Sequence, residues 1–160
     1  MSHITTTVLM IRPVQFRMNE QTAVNNFYQK KSETTLPETI NAKAVQEFDR
    51  MVDKLRAVGI QVIVVEDTKE FDTPDSIFPN NWISFHNTGT IGLYPMFAKN
   101  RRLERKDAIL EAVEAEGFAI ETVVDYTPAE SEGVYLEGTG SIVLDRENQK
   151  AYCAISARAD

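Results

Sequence analysis

Residues 55–67 read LRAVGIQVIVVED, and residues 113–125 read VEAEGFAIETVVD. Each stretch carries the end of a helix, a glycine, a β-rich run and an aspartate eight residues after the glycine. The two glycines, Gly59 and Gly117, lie 58 residues apart. A Thr-Pro pair follows each stretch, at Thr73-Pro74 and at Thr127-Pro128. An irregular segment and a two-strand hairpin come next in both cases. The repeating unit is therefore strand–strand–helix–strand, with a period of about 58 residues. A fixed period in this range marks an array of like units, as in propellers. Chance likeness between two αβ units is the competing explanation.

The rest of the chain fits around that unit. Residues 7–12 form an apolar run stopped by Pro13, which predicts a buried strand. Residues 14–36 are polar and without period, so a long loop with a short helix near residues 21–29 is expected. Ala44, Val45, Phe48, Met51, Val52, Leu55 and Val58 recur three and four apart, predicting a helix over residues 41–58 with one apolar face. Residues 60–65 follow as a strand. Residues 82–85 and 90–94 predict a hairpin around the turn at 86–89. A second helix is expected over 103–116, with Leu103, Ala108, Ile109, Ala112 and Val113 inward, then a strand over 118–124. Residues 141–144 and 151–155 predict a last hairpin.

On this period the last hairpin calls for a helix and a closing strand, and the sequence ends at Asp160. The expectation is that residues 1–160 are the N-terminal portion of a single α/β-propeller domain, roughly two and a half units of it, with an open sheet edge. The alternative is a complete short chain that dimerises over the gap.

Composition narrows the function classes. The chain has 160 residues, 42% hydrophobic and 26% charged, enough for one domain with a core. A net charge of −7 argues against nucleic acid as a partner, because that affinity is built from clustered Lys and Arg. The basic run at 99–106 is short and reads as a helix start. Cys153 is the one cysteine, which excludes an internal disulfide. Its place mid-strand predicts a small buried hydrophobe. No apolar run approaches the roughly 18 residues of a membrane span, and no signal-peptide pattern is present, so a cytoplasmic protein is the default. No metal-ligand spacing appears, and no cofactor is called for. His3 lies near a terminus, and His86 lies at a hairpin turn, where a surface position is expected.

One short stretch asks for more than a fold. Residues 135–145, YLEGTGSIVLD, set Glu137 before Gly138 and Gly140 at the start of a strand. Either this is a plain loop, or a tight turn holds a carboxylate at a strand end where only backbone fits closely.

Four motifs, PDSIFPNNW (74–82), RRLE (101–104), LEGTG (136–140) and SARAD (156–160), resemble the guanidino-group-modifying enzymes of the amidinotransferase, or pentein, superfamily. With residues 10–29, MIRPVQFRMNEQTAVNNFYQ, the likeness is closest to the citrulline-utilisation hydrolase branch. The resemblance implies a pentein-type α/β propeller of ββαβ units, with about half of the five-unit ring present. It implies a hydrolase or transferase of small amino-acid substrates, acting through a cysteine-linked intermediate, without cofactor.

It also implies roles. Asp75 falls at the mouth of the site, and Asn80 and Asn81 on the usual acidic pair that grips a guanidinium. Glu137 falls on the glutamate that meets substrate nitrogen or the catalytic histidine, and Arg158 on the arginine that binds the substrate α-carboxylate. One of Arg101 and Arg102 matches a second substrate-binding arginine, with the choice open. The catalytic histidine and cysteine positions are not filled within 1–160. A guanidinium is all donor and suits carboxylates, whereas a ureido group is neutral and offers an acceptor oxygen. Asn80-Asn81 thus favours a citrulline-like substrate, unless the pair only shapes the turn after Pro79. Arginine deimination, amidino transfer and a non-catalytic binding module of the same fold stay open, as does a homo-oligomer.

Overall fold

Two helix ends of one geometry organise the chain. The computed structural model describes residues 5–30 and 33–160; His3 lies outside them. Helix α2 (Pro37–Ala57) runs into Gly59 at φ 85°, and helix α4 (Asp107–Ala115) into Gly117 at φ 93°. At both, the residue after the glycine donates back across the helix end: Ile60 N–H to the Leu55 carbonyl and Phe118 N–H to the Val113 carbonyl. This is the left-handed glycine stop that satisfies the last carbonyls of a helix. An added Cβ would meet nothing within 4 Å at either glycine. Ala at Gly59 or Gly117 should therefore cost only the left-handed backbone term, about 1–2 kcal/mol. Equilibrium denaturation of both variants checks this, and equal losses are expected.

After each stop the chain enters a strand parallel to the one that preceded the helix. β2 (Gln61–Glu66) pairs parallel with β1 (Thr7–Arg12), Thr7 opposite Gln61 and Arg12 opposite Glu66. β5 (Thr122–Asp125) pairs parallel with β4 (Thr90–Leu93), which pairs antiparallel with β3 (Ile83–Phe85). The expected strand–strand–helix–strand unit is thus complete once, in β3-β4-α4-β5. β1-α2-β2 supplies its last three elements, and β6 (Ile142–Asp145) with β7 (Lys150–Cys153) its first hairpin. The result is a mixed α/β structure with small separate sheets.

The core lies between the first two units. Ile11, Trp82, Ile83, Ile91, Met96 and Ile109 form it, with Leu9, Val65, Leu93 and Phe118 packed against them. The expected face of α2 is only partly covered: Val52 is buried, but Met51 and Val58 are exposed. α2 also begins earlier than its apolar period, at Pro37, whose missing N–H suits a helix start.

The second helix differs from expectation. It begins only at Asp107, as α4, and a separate short helix, α3 (Lys99–Arg102), precedes it, capped by Leu103 with its side chain exposed. Three tethers hold the break between them. Glu104 binds Arg101, Arg105 binds Glu130, and Lys106 binds Asp67. The basic run is thereby tied into the protein's own carboxylates. β5 begins at Thr122, so residues 118–121 precede the strand.

Cys153 corrects the sequence reading. It is exposed, as is every residue of β7, because β7 pairs only with β6 among the described strands. A mid-strand cysteine is buried only where a second layer covers its face.

Candidate active site

Three turns distant in sequence meet beside the core. The first is the 3-10 turn Pro79–Asn81, the second α3, and the third the helical turn α5 (Gly138–Ser141). The glycines of α5 let it press on the asparagines. A Cβ on Gly138 would fall 2.6 Å from the Asn80 carbonyl oxygen, and one on Gly140 2.0 Å from Asn81 Nδ2. Both separations are below contact distance. The close approach expected of the LEGTG stretch is therefore an approach of backbone to the Asn-Asn turn. Gly138→Ala must move backbone rather than a flexible side chain. A loss of about 1–3 kcal/mol is expected, the range for overpacking, and a drop in melting temperature measures it.

Glu137, just before α5, is fully buried. Its carboxylate accepts from Arg158 Nε at 2.6 Å, from a second Arg158 nitrogen, and from Phe97 N–H at 3.3 Å. The Glu137 N–H donates to the Arg158 carbonyl, so backbone and side chains tie the two residues together. Arg158 keeps 22% side-chain exposure.

Arg101 is the most enclosed cation among the described residues. Nε and one terminal nitrogen grip Glu104 in a two-point pair, each bond 2.9 Å. The other terminal nitrogen donates to Asn81 Oδ1 at 2.6 Å. Two more bonds reach the carbonyls of Asp75 and Phe78. Burial pushes the Glu104 carboxyl up to about 7, against the opposing pull of Arg101. The Arg101 guanidinium is held above its usual value, because Glu104, Asp75 and Glu137 outweigh its own burial.

Asp75 is buried too, and among the described residues its carboxylate accepts from neutral donors of the N-terminal segment. Asn19 Nδ2 and Thr22 Oγ1 donate to it at 2.9 and 3.0 Å, and Gln29 Nε2 at 3.0 Å. Asn19 and Asn100 exchange amide bonds of 2.9 and 3.2 Å, and Gln29 accepts from the Asn19 N–H. The long loop is thus fastened over Asp75 by residues 19–29. Its short helix is α1 (Glu20–Ala23), capped by Asn19.

The structure brings Asp75, Asn81, Arg101, Glu137 and Arg158 into one neighbourhood. Asn80 sits at its exposed rim, donating to Thr139 Oγ1 at 2.9 Å. Arg102 turns away, donating to the Met96 carbonyl at 2.9 Å and pairing with Glu130. Glu104, Asn19 and Asn100 escaped the sequence reading. Glu104 could have been found from its place three residues after Arg101, where helical side chains meet. Asn19 and Asn100 carry no local signal, since their partners are 56 and 81 residues away.

His86 is half-buried rather than fully at the surface. Arg146 donates to its Nδ1, so Nε2 carries the proton and donates to Ser84 Oγ, which also bonds Tyr94 Oη. Burial, then Arg146, lower its pKa. It borders a separate cleft of about 690 Å³ with Phe85, Phe118, Arg146 and Lys150. Among the described residues no group of three or more His, Cys, Asp or Glu is placed to hold a metal, and no helix is long and apolar enough to cross a membrane.

A family model described as N,N dimethylarginine dimethylhydrolase, eukaryotic, matches residues 12–160. No curated protein matches the chain. Solved structures share the fold. An AgrE ternary complex with ornithine and NAD+ superposes with a TM-score of 0.67 at 22% identity, covering 98% of this chain and 21% of that one. The N-terminal domain of ArgZ bound to substrate, described as an arginine dihydrolase from the ornithine-ammonia cycle in cyanobacteria, gives 0.63 at 18%, covering 96% and 50%. A dimethylarginine dimethylaminohydrolase adduct with S-methyl-L-thiocitrulline gives 0.63 at 17%, covering 96% and 52%. The chain spans about half the length of the latter two.

Proposed function

The chain belongs to the N,N-dimethylarginine dimethylhydrolase family of the amidinotransferase, or pentein, superfamily, and from that premise we propose that it is the N-terminal portion of a C–N bond hydrolase acting on the ureido or guanidino group of a small amino acid. Residues 1–160 then contribute about half of a propeller ring, and the cysteine nucleophile and proton-shuttling histidine come from outside them.

The single observation that carries this reading is the meeting of Asn81, Glu137 and Arg158 around the glycines of α5. Three residues spread over 77 positions supply an amide, a dry carboxylate and a partly exposed guanidinium at one place. In the proposed reaction a thiolate adds to the ureido carbon, and ammonia leaves once protonated. Water then cleaves the carbon–sulfur bond. With citrulline the carbamate so released loses carbon dioxide and leaves ornithine. Glu137 stabilises positive charge developing on the substrate nitrogen. The exposed part of Arg158 meets the α-carboxylate, Asp75 holds the N-terminal segment over the substrate, and Asn80 meets the substrate from the rim. An asparagine beside the reacting group avoids an unmatched buried charge, which favours citrulline over arginine.

The test is ammonia release by the whole protein from citrulline, arginine and dimethylarginine. Turnover of citrulline well above arginine is expected. Absence of turnover with all three, while amino-acid binding persists, would favour a non-catalytic module of the same fold.

A further inference from the structure

Resting on that reading, we infer that Arg101 is a positioning residue: it fixes the Asn81 amide so that Asn81 presents hydrogen-bond donors, not an acceptor, to the α5 turn. An amide has one acceptor end and one donor end, and either can face a ligand. A guanidinium has donors only. The 2.6 Å bond from Arg101 to Asn81 therefore has to end on Oδ1, and no rotation of the amide satisfies Arg101 otherwise. Nδ2 is then turned the other way, against Gly140, on the side of Glu137 and Arg158.

Arg101 itself cannot drift from this task. It is 2% exposed, and Glu104 and the carbonyls of Asp75 and Phe78 hold it on three sides. The same bonds leave it no part in holding substrate, so the sequence match of this arginine to a substrate-binding role is replaced by an indirect one. A donor at Asn81 suits the oxygen of a ureido group. It opposes the N–H of a guanidinium, which would leave two donors facing each other. Specificity is the difference between those two terms.

The experiment compares the whole wild-type protein with Arg101→Met/Glu104→Leu, which removes both charges of the buried pair together, and with Arg101→Lys. Once freed, Asn81 can turn either end outward. The citrulline-to-arginine ratio of kcat/KM should fall by about tenfold or more in the double variant and be largely kept by Arg101→Lys, which retains a donor. An unchanged ratio in a folded double variant overturns the inference. Should that variant fail to fold, the wild type decides. The Asn81 side-chain NH2 resonances, assigned by their loss in Asn81→Asp, should shift on adding citrulline and not arginine. Equal shifts, or none with bound citrulline, overturn it. If neither amino acid binds or turns over, the substrate reading itself has failed. The orientation is then read in the unliganded wild type, where through-space contacts should place the Asn81 NH2 protons beside Gly140 and away from the Arg101 guanidinium; NH2 protons beside Arg101 overturn the inference.

Discussion

Arg158→Ala is expected to destabilise the protein by about 3–5 kcal/mol, the cost of leaving one member of a buried ion pair alone. Glu137 has no exposure, and without Arg158 its carboxylate retains the 3.3 Å bond from Phe97 N–H. Desolvation of a lone charge outweighs the Coulomb attraction that the pair supplied. Glu137→Gln should be milder, because the amide is neutral and can still accept from Arg158. The double variant Glu137→Gln/Arg158→Ala should therefore be more stable than Arg158→Ala alone, a non-additivity visible in a double-mutant cycle by thermal or urea unfolding. A single variant as stable as the wild type, or a double variant no better than the single one, would show that the pair is not what keeps Glu137 dry. The stability loss is separate from any substrate effect, since it is measured without ligand.

The pairing also explains how far the site was legible in the sequence. Gly59 and Gly117 announced their helix ends because a left-handed stop is a local requirement, written at one position. The strands after them were legible from their β-rich runs, whereas their parallel pairing emerges only in the structure. Glu137 stood out because two glycines follow it, although the contact they permit is a distant one: Gly138 and Gly140 leave room for the Asn80-Asn81 turn. Arg101 and Arg102 could not be told apart, since their environments are set by Glu104, Asn81 and Glu130, which sequence order does not rank. The resemblance places Asp75 at the mouth of the site, and in the structure it lies buried under Asn19, Thr22 and Gln29. Those partners lie in a stretch without hydrophobic period, where pattern reading has nothing to hold. Cys153 and Leu103 failed for the opposite reason. Their apolar character suggested burial, but burial depends on a covering layer that no single residue encodes.

Arg101→Ala should strand the buried Glu104 carboxyl, at a cost that grows above neutral pH to about 1 kcal/mol by pH 8, so its damage should depend on pH in a definite direction. Arg101 and Glu104 are both enclosed, with side-chain exposures of 2% and 1%. Glu104 already has its carboxyl pushed up to about 7 by burial, while Arg101 is the group that pulls it down. Removing Arg101 raises it further. A carboxyl whose folded pKa lies above its unfolded value gives stability that is fully present below the unfolded value and is lost as pH rises through the folded one. The gap between wild type and Arg101→Ala should thus be small near pH 4.5, where Glu104 is largely protonated in both, and widen as pH rises through 7 and beyond. Glu104→Gln placed on Arg101→Ala removes the titrating group and should flatten the gap over the same window. Urea unfolding of the three variants and the wild type at pH 5 and pH 8 measures this. A gap of equal size at both values would mean that the loss comes from the bonds to Asn81, Asp75 and Phe78 rather than from the stranded charge, and the Arg101→Ala/Glu104→Gln variant would then be no more stable at pH 8 than Arg101→Ala.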